Sequence, residues 1–106
     1  VDFSSETNER FLKDMLETDK GSKYIGEFGI GTNTMMQQYI GNSLLDEKMH
    51  GTVHLALGRA YKRSLPEGEE RNNSGIHWDL VKDLRDDGKI LVDGNKVFEA
   101  GSWLLD

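Results

Sequence analysis

The chain has 106 residues, 36% of them hydrophobic and 30% charged, with one proline, no cysteine and a net charge of −6. The length suits one globular domain, 1–106, with a core, and the acidic balance argues against a nucleic-acid partner, whose phosphates require a basic stripe. Without cysteine there is no disulfide framework, thiolate metal site or thiol nucleophile, which fits a reducing, cytoplasmic setting.

The 19 acidic residues are scattered and read as a solvated surface. No run approaches the ~18 apolar residues of a membrane span, and no signal peptide is visible. The chain begins with Val1 and not methionine, so it reads as a piece of a longer polypeptide.

In chain order, Ser5 to Asp19 reads as a helix with Ser5 as its N-cap. Glu6 and Glu9 lie in the first turns, and Phe11, Leu12, Met15 and Leu16 form one apolar stripe. Gly21 is placed to end it in a left-handed conformation. Tyr24 to Ile30 is strand-like but rich in glycine, which points to a bulge or a close approach by a ligand or another backbone. Periodicity leaves Met35 to Tyr39 open between a helical turn and a loop, and Leu44 to Met49 reads as a short helix. Gly51 to Gly58 ("GTVHLALG") is the strongest strand in the middle of the chain. Pro66 to Asn73 is a polar surface loop. Lys89 to Gly101 gives two β runs around Asp93-Gly94, the strongest hairpin signal present. The fold class is therefore α+β: an N-terminal helix, then a mainly antiparallel or mixed sheet with a C-terminal β-hairpin.

Several polar residues sit where a core strand has no need of them. In "SGIHWDLVKD", His77 and Asp79 are two apart, and strands place residues i and i+2 on one face. They are either a hydrogen-bonded structural pair or two ligands aimed at a metal. His54 shares a face with Thr52 and Ala56, small residues that leave space beside the imidazole. Glu27, mid-strand among glycines, must be exposed, paired or bound to a cation, because burying an unpaired charge costs several kcal/mol. His50, beside Gly51, reads as solvent-facing, and Glu47 is most simply a surface helix residue. Mixed imidazole and carboxylate ligation suits Zn, Mn, Co or Fe.

The strings "YIGEFGIGTN" (Tyr24 to Asn33), "LLDEKMHGTVHLALGRAY" (Leu44 to Tyr61) and "NNSGIHWDLVKDLR" (Asn72 to Arg85) together carry a resemblance. They resemble the C-terminal part of the thermophilic metalloaminopeptidases, of the aminopeptidase T and aminopeptidase S type, from the first helix to the final hairpin. The resemblance implies a peptidase site holding two divalent metal ions (Zn, Co or Mn), with Glu27, His54, His77 and Asp79 as ligands. Glu47 falls where the family has an acidic residue, and Tyr61 matches a tyrosine that serves the reaction beside the metals. It also implies peptide substrates, a homodimeric full-length protein, and a chain that is the metal-binding C-terminal part of a longer enzyme and is inactive alone. The alternative is a non-haem Fe(II) ring-cleaving dioxygenase of the same fold, because two histidines and a carboxylate also make a facial triad. A third reading has the piece only folding and pairing with another copy. On the metal reading, the ligands converge, and Trp78 and Leu80 face away from them into the core.

Overall fold

The computed structural model describes residues 3–105. The chain divides into two compact units. One takes the residues up to Phe28 with Leu55–Asp79; the other takes Gly29–His54 and the residues from Leu80 onward.

Its elements follow the expected α+β order: helix α1 (Glu9–Leu16), strand β1 (Ile25–Ile30), helix α2 (Ser43–Asp46), strands β2 (Thr52–Gly58) and β3 (His77–Asp83), then β4 (Lys89–Val92), β5 (Asn95–Glu99) and β6 (Ser102–Trp103). Strand order is β1-β2-β3 in one sheet and β4-β5-β6 in the other. In the first unit, the Gly58 N–H donates to the Tyr24 carbonyl at 2.8 Å and the Arg59 N–H to that of Ile76 at 2.7 Å. In the second, the Gly31 N–H donates to Thr52 at 2.8 Å and the Leu84 N–H to Gly51 at 2.9 Å. Partner numbers fall as a strand's own numbers rise, so the pairing is antiparallel. Among the described residues, no helix is long and apolar enough to cross a membrane.

In the first unit, α1 forms on the predicted stripe but is shorter than expected. Leu16 is buried and Leu12 and Met15 are half-buried, while Lys13 pairs with Glu9 at 3.2 Å on the outer face. Ser5 is not its N-cap: Asn8 precedes the helix in the left-handed region (φ 56°) with no side-chain cap. Gly21 is not its C-cap either, since Glu17 ends the helix. Gly21 is small for a different reason: a Cβ there would lie 2.3 Å from Asn72 Oδ1. The small core of this unit holds Leu16, Ala56, Leu57 and Ala60. Trp78 meets Phe11 of α1 edge-on at 5.9 Å.

In the second unit, Met49 and Phe98 are fully enclosed. Phe98 takes the edges of Trp103 and His50 at 5.1 and 6.1 Å. His50 is therefore not solvent-facing; its Nε2 meets the Gly101 carbonyl oxygen at 3.0 Å. Leu80 departs from expectation in the other direction, remaining 46% exposed. Residues 35–39 form a turn and loop and not a helix. Asn42 caps α2 by accepting from the Leu44 N–H. The hairpin forms as predicted, with Asp93 and Gly94 both at positive φ (50° and 79°).

Candidate metal centre

In the first unit, three candidate ligands meet at the start of β3. Alternation along the strand puts His77 and Asp79 on one face, with His77 Nε2 3.5 Å from Asp79 Oδ1. The same nitrogen lies 3.9 Å from Glu27 Oε2, carried by β1. The other ring nitrogen of His77, Nδ1, is 2.7 Å from the carbonyl oxygen of Arg59. A carbonyl only accepts, so Nδ1 carries the hydrogen and, in the neutral ring, Nε2 presents its lone pair. That lone pair faces two carboxylates. Tyr61, 45% exposed, tilts its ring over the same imidazole with centroids 5.3 Å apart, and the Arg63 guanidinium lies 5.6 Å from the Tyr61 ring centroid.

The second unit holds the other two candidates. Glu47, just past α2, is 6% exposed and so is not the surface residue its sequence context suggests. It is ion-paired with Lys48 at 2.6 Å, and its other oxygen lies 4.0 Å from Nε2 of His54, itself 4% exposed. Thr52, His54 and Ala56 are all buried, as one small-residue face of β2 should be. The space beside the imidazole comes from Gly29. A Cβ there would lie 2.1 Å from His54 Cε1, so β1 admits the ring only by omitting its own side chain. The structure thus gathers Glu27, His77, Asp79 and Tyr61 in one unit, and Glu47 and His54 in the other.

Sequence reasoning passed over the groups that hold these side chains. The Arg59 carbonyl is a main-chain atom and leaves no trace in residue type. Asp46 is buried and accepts from the Ile40 and Gly41 N–H groups at 2.9 and 3.1 Å, tying the 33–41 loop to α2. A buried carboxylate must find hydrogen-bond partners, and Asp46 finds them in main-chain donors that residue type does not reveal.

Nitrogen and oxygen donors in this combination can hold a divalent metal ion, and the comparisons with known proteins give a metalloprotease family. The family described as thermophilic metalloprotease (M29) matches residues 1–103. The chain is 31% identical to Aminopeptidase 2 of Geobacillus stearothermophilus, over all of this chain and 30% of that protein. It is 34% identical to Aminopeptidase AmpS of Bacillus subtilis (strain 168), over 97% of this chain and 29% of that one. With Aminopeptidase T of Thermus aquaticus the identity is 30%, over 99% and 29%. The chain spans about three-tenths of the length of the curated relatives it matches. No solved structure matches it. With nearly its whole length matched, this chain belongs to the thermophilic metalloprotease (M29) family.

Proposed function

We propose that this chain is the metal-binding C-terminal part of a cytoplasmic, homodimeric aminopeptidase that releases N-terminal residues from peptides, and that it is inactive alone. The observation that carries the reading is the orientation of His77. With Nδ1 occupied by the Arg59 carbonyl, Nε2 faces Glu27 and Asp79. A structural pair would need only one of those carboxylates; two around one imidazole lone pair suit a cation. Family membership favours peptide hydrolysis over the dioxygenase alternative.

Glu27, His77 and Asp79 would hold metal in the first unit, and Glu47 and His54 would do so in the second. Two divalent ions bound there would polarise the scissile carbonyl and make a bound water acidic near neutral pH. The rest falls to the side chains. The Tyr61 phenol, held against His77, donates a hydrogen bond to the oxyanion that develops as the carbonyl carbon becomes tetrahedral. Arg59 keeps the His77 ring in one tautomer and one orientation.

The test is metal analysis of the intact protein, followed by hydrolysis of amino-acid arylamides before and after chelation. Chelator-sensitive release of the arylamine, restored by Zn, Co or Mn, is the expected result. An intact protein that holds no divalent metal, or that keeps its full rate in chelator, would remove the reading.

A further inference from the structure

The turn that leads into β3 is fastened by one carboxylate from outside the candidate site. Asp19 Oδ2 accepts from the Gly75 N–H at 2.7 Å and from Ser74 Oγ at 3.1 Å. Its Oδ1 accepts from the Gly21 N–H at 2.9 Å and from Ser22 Oγ at 3.0 Å. Ser22 and Ser74 are buried and lie 3.3 Å apart between their hydroxyls. Asn72 closes the same knot, donating from Nδ2 to the Gly21 carbonyl at 2.9 Å and accepting from the Ser74 N–H at 3.0 Å.

Four donors on one carboxylate fix both the position and the direction of residues 74 and 75, three and two positions ahead of His77. The connection continues through Arg59. Its Nε donates to the Ser74 carbonyl at 3.0 Å, and its N–H donates to the Ile76 carbonyl at 2.7 Å. Its own carbonyl receives His77 Nδ1. An unbroken run of hydrogen bonds therefore joins Asp19 to the imidazole. Asp19, Ser74 and Arg59 are each held at two or more points, as a rigid support for a ligand requires.

We propose that Asp19 is a positioning residue for His77, aligning its Nε2 for metal through Ser74, Gly75 and the main chain of Arg59. The inference rests on the metallopeptidase reading above. A bare structural staple would show itself differently. It would cost thermal stability in proportion to the bonds lost and leave metal affinity alone. Leu16→Ala supplies the comparison, because Leu16 is buried in the same unit and takes no part in the run of bonds.

The experiment titrates zinc into metal-free intact protein against a chelating indicator, with the thermal midpoint measured in parallel. Asp19→Ala should weaken zinc binding by about tenfold or more, the scale of lost outer support at metal sites. Leu16→Ala should lower the midpoint and keep the zinc affinity of the parent. If Asp19→Ala does not fold, Asp19→Asn carries the test. It preserves shape but turns an amide N–H₂ toward a donor, and it should weaken zinc binding in the same direction. Zinc affinity unchanged in the folded Asp19 variant, or lost equally in Leu16→Ala, overturns the proposal while leaving the metal reading intact. A parent protein that takes up none of Zn, Co or Mn in the same titration removes both.

Discussion

His77 gives its Nδ1 hydrogen to the Arg59 carbonyl at 2.7 Å, and the ring that results points Nε2 at Glu27 and Asp79. The bond is local, and its loss is a modest matter for the fold. One net hydrogen bond contributes about 1 kcal/mol. His77→Ala in the intact protein should therefore shift the thermal midpoint only slightly while abolishing bound metal and turnover. Metal stoichiometry and calorimetry on the same sample check this. A variant that keeps metal, or one that loses its fold first, would make His77 and Asp79 a structural pair.

Gly29 and His54 have the opposite relationship, in which contact with the ring forbids a side chain. A methyl group 2.1 Å from Cε1 cannot coexist with the imidazole where it stands. Because His54 is buried, the ring has little freedom to yield. Gly29→Ala should cost about 1–3 kcal/mol, the usual range for overpacking, and should draw His54 away from Glu47. Denaturant unfolding measures the first effect and metal content the second. Wild-type values for both would mean that the strand shifts to absorb the methyl.

Trp78 and Leu80 were expected to share one buried face, yet only Trp78 is covered, by Phe11. Trp78→Ala should lose about 2 kcal/mol, below the full-burial range because the ring is half-buried. Leu80→Ala should stay within ~0.5 kcal/mol of the parent, as exposed positions do. Chemical denaturation of the two variants side by side decides between them.

These two residues also show how far the sequence can be read. Period-two alternation correctly put His77 and Asp79 on one face and Trp78 and Leu80 on the other. Alternation says which residues share a face but not what covers it, and Leu80 shows the gap. The glycines of "YIGEFGI" point to a close approach by a ligand or another backbone; Gly26 lies against the Gly58 carbonyl, as that reading has it, while Gly29 makes room for a side chain, His54. The helix is shorter at both ends than its pattern suggests: Ser5 and Gly21 fit the usual capping chemistry, yet Asn8 and Glu17 bound it. Glu47 shows the same limit: polarity at a helix end reads as exposure, and only packing reveals burial. The support for His77 was invisible because the Arg59 contribution is a carbonyl and the Asp19 contribution comes from 58 residues earlier in the chain.

Asp19 also makes a prediction about acid. The Gly75 N–H, then the Ser74 hydroxyl, with further donors from Ser22 and Gly21, hold its carboxyl down to about 2 against an ordinary 3.8. A depressed carboxyl contributes stability that is fully present above the unfolded-state value and is lost as pH falls through the folded one. The thermal midpoint of the parent should therefore exceed that of Asp19→Asn by a constant margin above about pH 4, where the carboxyl is ionised in both states. The margin should shrink between about pH 4 and pH 2, where the unfolded and then the folded carboxyl take up a proton. Paired scans across that window measure it, and a margin independent of pH would mean that the charge on Asp19 plays no part.

The last turn of the chain carries a strain that sequence patterns do not anticipate. β5 pairs with β6 through Glu99 and Ser102, leaving Ala100 and Gly101 as the two turn residues. Both have positive φ, 45° and 86°. Glycine adopts that region freely, but an L-residue with a Cβ pays ~1–2 kcal/mol to do so. Ala100→Gly relieves that cost and adds about 0.4–1 kcal/mol of unfolded-chain entropy against it. The relief matches or exceeds the cost, and the variant should equal the parent or exceed it by up to about 1.6 kcal/mol. Gly101→Ala has no such relief and imposes the left-handed cost anew, so it should lose ~1 kcal/mol or more. Unfolding free energies of the two variants give the answer directly. If Ala100→Gly is the more damaging change, then the alanine methyl, and not the backbone angle, is what this turn requires.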